Sequence, residues 1–200
     1  ISRINRGELA MLESSQDMQE VFRLSEETKI ATKGYFDIQT PSGLFDPSGL
    51  VKGWAIRNAA RLLDDEGYMN FFVDVGGDVE LRGLNHKGKP WSLGIKNPFD
   101  ESELVKVVFL SNAGIATSGT YIRGNHIYNP LQKSTLEEVV SLTVIGPDVY
   151  EADRFATSAF AMGMQGIYFI EALHGFEGYM IDAGGQGTGT TGFSAYTKEQ

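Results

Sequence analysis

Four short segments carry side chains whose types and spacing allow chemistry. In Glu151-Ala-Asp153-Arg-Phe-Ala-Thr157 a carboxylate and a hydroxyl stand four residues apart, and on a helix such positions share a face. That oxygen pair suits a hard cation such as Mg²⁺, which is often shared with substrate phosphates. An acid compensating the helix dipole beside an ordinary Thr also explains the segment, and taken alone is the stronger reading. In Asp46-Pro-Ser-Gly49-Leu-Val-Lys52-Gly53 a Gly-containing turn feeds a helix, whose first amides can cradle a phosphate. Lys52 falls in the first turn, where a cation is disfavoured unless an anion is near. A plain loop–helix junction with a surface Lys is preferred for this segment alone, and no Walker A spacing is present. Asp74-Val-Gly76-Gly77-Asp78 permits close backbone approach to a ligand, but a bulge in a sheet suits it at least as well. Finally, Gly114-Ile-Ala-Thr117-Ser118-Gly119-Thr120-Tyr121 offers hydroxyls to phosphate or ribose oxygens, or a polar turn satisfying its own backbone. His126-Ile-Tyr-Asn129-Pro130 follows it, and of the three histidines only His126 lies in such a setting; His86 and His174 read as surface residues.

The elements that must position these residues follow from periodicity. Met18, Val21, Phe22 and Leu24 predict a helix from about Asp17 to Lys33, stopped by Gly34. A second is predicted from Lys52 to Glu66, with Ala55, Ala59, Leu62 and Leu63 inward. Asn70 to Arg82 alternates about Gly76-Gly77, which predicts a strand with a bulge or tight bend. WSLGIKNP, LVKVVFL, VVSLTVIG and GYMIDA read as strands, EADRFATSAFAMG as a helix, and IYFIEALHG as a shorter one. Ala113 to Pro130 reads as turn-rich and polar, and the Gly/Thr-rich tail after Ala183 as a loop or edge. Without regular βαβ alternation the fold class is α+β rather than a doubly wound sheet. No linker or solenoid-length repeat divides the chain, so residues 1–200 read as a single domain.

Composition bounds the rest. Two hundred residues, 42% hydrophobic and 11% aromatic, can bury a real core. Seventeen basic against 26 acidic residues give a net charge of -9 without a Lys/Arg cluster, which argues against nucleic acid or an anionic membrane as partner. The absence of cysteine removes disulfides, thiolate zinc sites and Cys nucleophiles, and leaves the redox compartment undecided. No run of 18 apolar residues is present, so no transmembrane segment is expected. The chain begins at Ile1 inside what reads as an ongoing segment (ISRINRGELAML), so the lack of a leader says nothing about location.

Each signal is weak by itself, but their order is not. Asp-x-x-Gly-x-x-Lys-Gly, then Asn-x(5)-Gly-Gly-Asp, Thr-Ser-Gly-x-Tyr, His-x-x-x-Pro and Ala-Asp-x-x-x-Thr form a series that resembles the ApbE family of FAD:protein FMN transferases, formerly called thiamine biosynthesis lipoproteins. The resemblance runs from about Ser2 to Tyr179. It implies an ApbE-like α+β fold of mixed and antiparallel sheets packed with helices. The implied activity is Mg²⁺-dependent transfer of FMN from FAD onto a Thr or Ser hydroxyl of a target flavoprotein, releasing AMP. By the same resemblance, Asp153 and Thr157 are side-chain metal ligands and Gly49 contributes its carbonyl. Tyr35, Phe36, Asp37 and Asp46 line the FAD site, Lys52 contacts the cofactor, and Glu8 matches the family's Ser-Glu element. Thr117, Ser118 and Gly119 border the pyrophosphate, and His126 sits where transfer depends on it. The general base is left between His126 and a site carboxylate. Three departures stand out: Asn129 replaces the family's usual Asp before Pro, Ala156 stands where some members carry another acidic ligand, and Arg57 replaces a common Asp. The family's N-terminal part, with a Met-Gly-Thr element, would lie before Ile1. The resemblance also implies an extracytoplasmic, lipoprotein-like setting and leaves the cytoplasm open. An FAD pyrophosphatase and a non-catalytic flavin-binding protein are the alternatives. The tail DAGGQGTGTTGF lacks the acceptor order of flavinylated proteins and reads as structural.

Overall fold

The computed structural model describes residues 1–120, 128–132, 134–135 and 137–198. A short helix α1 (Ser2–Asn5) precedes α2 (Gln16–Ala31), which starts where Ser15 accepts from the Met18 N–H, and α3 (Ser48–Asp65). Strands β1 (Phe71–Val75), β2 (Asp78–Arg82), β3 (Trp91–Asn97), β4 (Asp100–Leu110) and β5 (Ala113–Gly119) follow. After the short pair β6 (Tyr128–Asn129) and β7 (Ser134–Thr135) come β8 (Val139–Gly146), α4 (Val149–Ala161), α5 (Gly166–Glu171), β9 (Glu177–Asp182) and the edge strand β10 (Gly187–Gly189). The fold is α+β: a six-stranded antiparallel sheet in the order β1-β2-β5-β8-β9-β10, beside the β3–β4 hairpin.

Side-chain alternation along the central strands divides the core between the two sheet faces. Ala116, Leu142, Val144 and Met180 meet α4 and α5 on one face, through Phe155, Phe160, Ile167 and Ile170. Their neighbours Ile115 and Ile145 turn to the other face, where Val79, Leu81, Ile95, Val108 and Leu110 close a second cluster under the β3–β4 hairpin. A third cluster joins α2 to the start of α3 and to Tyr150 of α4. Together these layers set α3 beside α4, with α3 over β1 and β2 and α4 over β5 and β8.

Three elements differ from the sequence-based expectation. Helix α3 begins a turn early, because Asp46 accepts from the Ser48 N–H and holds the first turn. It buries Leu50, Gly53, Ile56, Arg57 and Ala60, whereas Ala55 is exposed and Leu62 is 68% exposed, so the inward face is rotated from the expected one. Gly76-Gly77 is the two-residue turn of a β1–β2 hairpin rather than a bulge in one strand; both glycines take positive φ, +65° and +92°, as such tight hairpins require. Ala113–Gly119, expected as turn, is an interior strand of the main sheet. Its composition misleads because Gly114 is there for close packing: a Cβ would stand 2.0 Å from the Val149 nitrogen.

Candidate active-site cleft

Four parts of the chain converge on a cleft of about 260 Å³. The loop between α2 and α3 supplies Tyr35, Phe36, Asp37 and Asp46. The first turns of α3 supply Gly49 and Lys52, the C-terminal end of β5 supplies Thr117, Ser118 and Gly119, and α4 supplies Asp153 and Thr157. Sequence reasoning singled out all eleven. Glu8 does not line the cleft; it is exposed and ion-paired with Arg6 at 2.6 Å. His126 lies outside the described residues.

The wall where α3 crosses α4 is the most charged part. Asp153 is 5% exposed, and its Oδ2 accepts from the Gly53 N–H at 2.8 Å. It also feels the charge of Asp78, itself 1% exposed. Asp78 accepts from the Thr117 N–H through Oδ1 at 3.1 Å and pairs with the Lys52 ammonium at 2.6 Å. Burial, and then the charge of Asp78, push the Asp153 carboxyl up to about 8 against the opposing pull of Lys52 and the Gly53 N–H. Burial likewise raises Asp78, although Lys52 and the Thr117 N–H favour its charged form. Two buried carboxyls therefore share one ammonium. Asp78 is a site residue beyond those expected from the sequence; its signal is the Gly-Gly-Asp motif, whose glycines point to backbone approach and whose acid carries no role there. Gly76 and Pro130, both within motifs of the sequence, also line the cleft, and Thr40, Ser48, Val75, Tyr128 and Ala161 complete it.

Around that wall the hydroxyls are close but not all free. Ser118 Oγ lies 3.4 Å from Thr157 Oγ1. The Thr117 hydroxyl is taken by Thr143 at 2.8 Å, which leaves Thr117 to face the cleft with its backbone end. Gly49 touches Thr157 so closely that a Cβ would lie 2.9 Å from Thr157 Cγ2. Asp37 is occupied on both oxygens, by Lys29 at 2.7 Å and the Gln39 N–H at 2.8 Å. Asp46 uses one oxygen to hold the start of α3.

The oxygens available at Asp153, Thr157 and Gly49 are hard donors, and an excess of buried negative charge is the condition a divalent cation relieves. The residues fit such an ion. Among the described residues no three His, Cys, Asp or Glu side chains form a metal group, so the set depends on hydroxyl and carbonyl oxygens. The departures have local explanations. Asn129 is buried and accepts from the N–H groups of Leu131 and Gln132, a turn-holding task for its amide oxygen. Ala156 faces the apolar core rather than the cleft, and the Arg57 guanidinium lies over the Tyr150 ring at 4.1 Å.

A sequence model of the ApbE family matches residues 39–180. The FAD:protein FMN transferases of Salmonella typhimurium and of Escherichia coli strain K12 are each 33% identical to this chain over 157 residues, which is 74% of it and 45% of each relative. The chain thus spans about half the length of the curated relatives it matches. The flavin transferase ApbE from Vibrio cholerae superposes with a TM-score of 0.78 at 23% identity, covering 91% of this chain and 77% of that one. The ApbE protein from Thermotoga maritima superposes with a TM-score of 0.83 at 19% identity, over 93% and 79% of the two chains.

Proposed function

The chain belongs to the ApbE family, and from that premise we propose that it transfers FMN from FAD to a Thr or Ser hydroxyl of a target flavoprotein, with Mg²⁺ as cofactor and AMP as the leaving product. The observation that carries this reading is the buried Asp153–Asp78–Lys52 group set against Thr157 and Gly49 in the cleft wall. In the reaction the acceptor oxygen bonds to the phosphorus of the FMN half, the bond from that phosphorus to the bridging oxygen breaks, and AMP leaves with that oxygen. Such transfers demand in-line positioning and charge neutralisation more than covalent help from the protein. Mg²⁺, held by Asp153, Thr157 and the Gly49 carbonyl, supplies that neutralisation when bound.

The chain's own residues do the rest. Asp78 fixes the Lys52 ammonium at the cleft wall, where it adds positive charge beside the anhydride. The β5 end, Thr117–Gly119, borders the phosphates, and Tyr35, Phe36, Asp37 and Asp46 border the nucleotide. Tyr128 adds a third aromatic ring to that lining, suited to a flat ring system. His126 takes the acceptor's proton, with the cleft carboxylates as rivals for that role. The whole acts as one domain in an extracytoplasmic setting. No helix among the described residues is long and apolar enough to cross a membrane.

The test is transfer to an acceptor protein, read as covalent flavin on a gel, for the wild type and Asp153→Ala. Labelling by the wild type and background labelling by a folded Asp153→Ala are expected; continued labelling by the variant overturns the reading. AMP release at an equal rate without acceptor makes water the acceptor and the protein a pyrophosphatase. Tight FAD binding with no turnover at saturating Mg²⁺ makes it a flavin-binding protein.

A further inference from the structure

Glu80 lies on β2 two residues from Asp78, on the same face of the sheet, and is 0% exposed. A carboxylate buried to that degree is costly unless its oxygens are engaged, and both are. Oε1 accepts from Arg82 Nη1, and Arg82 Nε donates onward to Asp64 Oδ2 at 3.2 Å, near the end of α3. Oε2 accepts from the Val149 N–H at 2.5 Å, and Val149 is the first residue of α4. That amide is one of those a helix N-terminus leaves without an intrahelical partner. The capping side chain of Asp148 satisfies a different one, that of Glu151.

The same helix start is gripped from two further directions. Gly114 of β5 packs so tightly that a Cβ would stand 2.0 Å from the Val149 nitrogen, and a Cβ on Gly53 of α3 would stand 2.8 Å from the Val149 oxygen. Helix α4 is thus seated at its first residue by β2, β5 and α3 together. Asp153 and Thr157 follow at roughly 6 and 12 Å along the same helix. A rotation or slide at Val149 passes to both.

We propose that Glu80 is a positioning residue, whose buried carboxylate sets the register of α4 and so places Asp153 and Thr157 for the cation without touching cation, substrate or cleft. The inference rests on the reading of those two side chains as Mg²⁺ ligands. Packing alone gives no reason for a carboxylate here, since an apolar side chain of similar length fills the space with no charge to bury.

The experiment measures Mg²⁺ affinity by titration calorimetry, without FAD or acceptor, for the wild type, Glu80→Met and Glu80→Gln, each shown folded by circular dichroism. Glu80→Met removes the acceptor for the Val149 N–H and is expected to weaken Mg²⁺ binding by about 10-fold, the lower end of the range for losing a partner bonded to a metal ligand, because Glu80 acts one step further out. Its kcat falls while the KM for FAD stays at the wild-type value. Glu80→Gln keeps an oxygen for Val149 and restores most of the affinity, which a role in charge alone would not allow. Should Glu80→Met fail to fold, Glu80→Asp, which draws the carboxylate back by one methylene, is expected to show an intermediate loss. A folded Met or Asp variant that binds Mg²⁺ like the wild type overturns the inference, as does a Gln variant as weak as Met. Wild-type protein that binds no Mg²⁺ overturns the cation reading of Asp153 and Thr157, and this inference with it. Tight wild-type binding that Glu80→Met leaves unchanged overturns this inference alone.

Discussion

Replacing Asp153 by Asn changes one atom type in the cleft wall and has a calculable effect on stability. In metal-free protein the Asp153 carboxyl is pushed up to about 8 by burial and by Asp78. In the unfolded chain it titrates near the ordinary value, about 3.9. Between those pH values the folded state retains a proton that the unfolded state has released. The unfolded state binds fewer protons, so stability falls as pH rises. The penalty is absent below the unfolded pKa, grows by about 1.4 kcal/mol per pH unit, and is complete above the folded pKa. Taken over the whole interval this is about 5–6 kcal/mol, an upper bound because local rearrangement and water entry relieve buried charge. Asn keeps a carbonyl oxygen for the Gly53 N–H and cannot ionise. Glu80, whose carboxyl burial also raises, slopes the same way in both proteins and cancels in the difference. The assay is urea unfolding of metal-free wild type and Asp153→Asn at pH 5, 6, 7 and 8. Asn is expected to gain stability relative to the wild type at each step, by several kcal/mol between the extremes. A constant difference across that range refutes the picture of two buried carboxyls competing for one ammonium.

Lys52→Met removes the cation paired with Asp78 and leaves two buried carboxyls without it. It is expected to cost about 2–4 kcal/mol in metal-free urea unfolding at pH 8, as breaking a buried ion pair does, with Asp78→Asn in the same chain restoring most of it. Gly114→Ala forces a methyl onto backbone atoms at 2.0 and 2.1 Å rather than onto a movable side chain. It is expected to cost about 3 kcal/mol or more by thermal unfolding, at the upper end for overpacking.

Much of this architecture is legible in the residues. Helix α2, helix α4 and strands β8 and β9 appear near their expected positions because strong apolar periodicity, a Ser or Asp cap and Pro147 act locally. The cleft residues were found through motif order, which survives where single motifs are ambiguous. What escaped is non-local. Strand β5 looks like a turn because its Gly, Thr and Ser serve the neighbouring helix: Gly114 lets α4 approach, and Thr117 bonds across to Thr143. The buried face of α3 is set by partners in α4 that lie about a hundred residues away, such as Asp153 against Gly53. Charged Asp78 and Glu80 alternate on β2 where apolar residues are the usual core choice, and nothing local reveals that an ammonium and a helix amide await them.

The cleft draws part of its lining from the loop around Tyr35 and part from Thr157. Between those two points lies most of the polypeptide. A chain emerging from the ribosome therefore has Tyr35 and Phe36 long before it has α4, and cannot grip a ligand with both until α4 has been made. Occupancy then stabilises distant segments together, so that ligand-dependent protection from amide exchange arises in α3, β5 and α4 as one cooperative event.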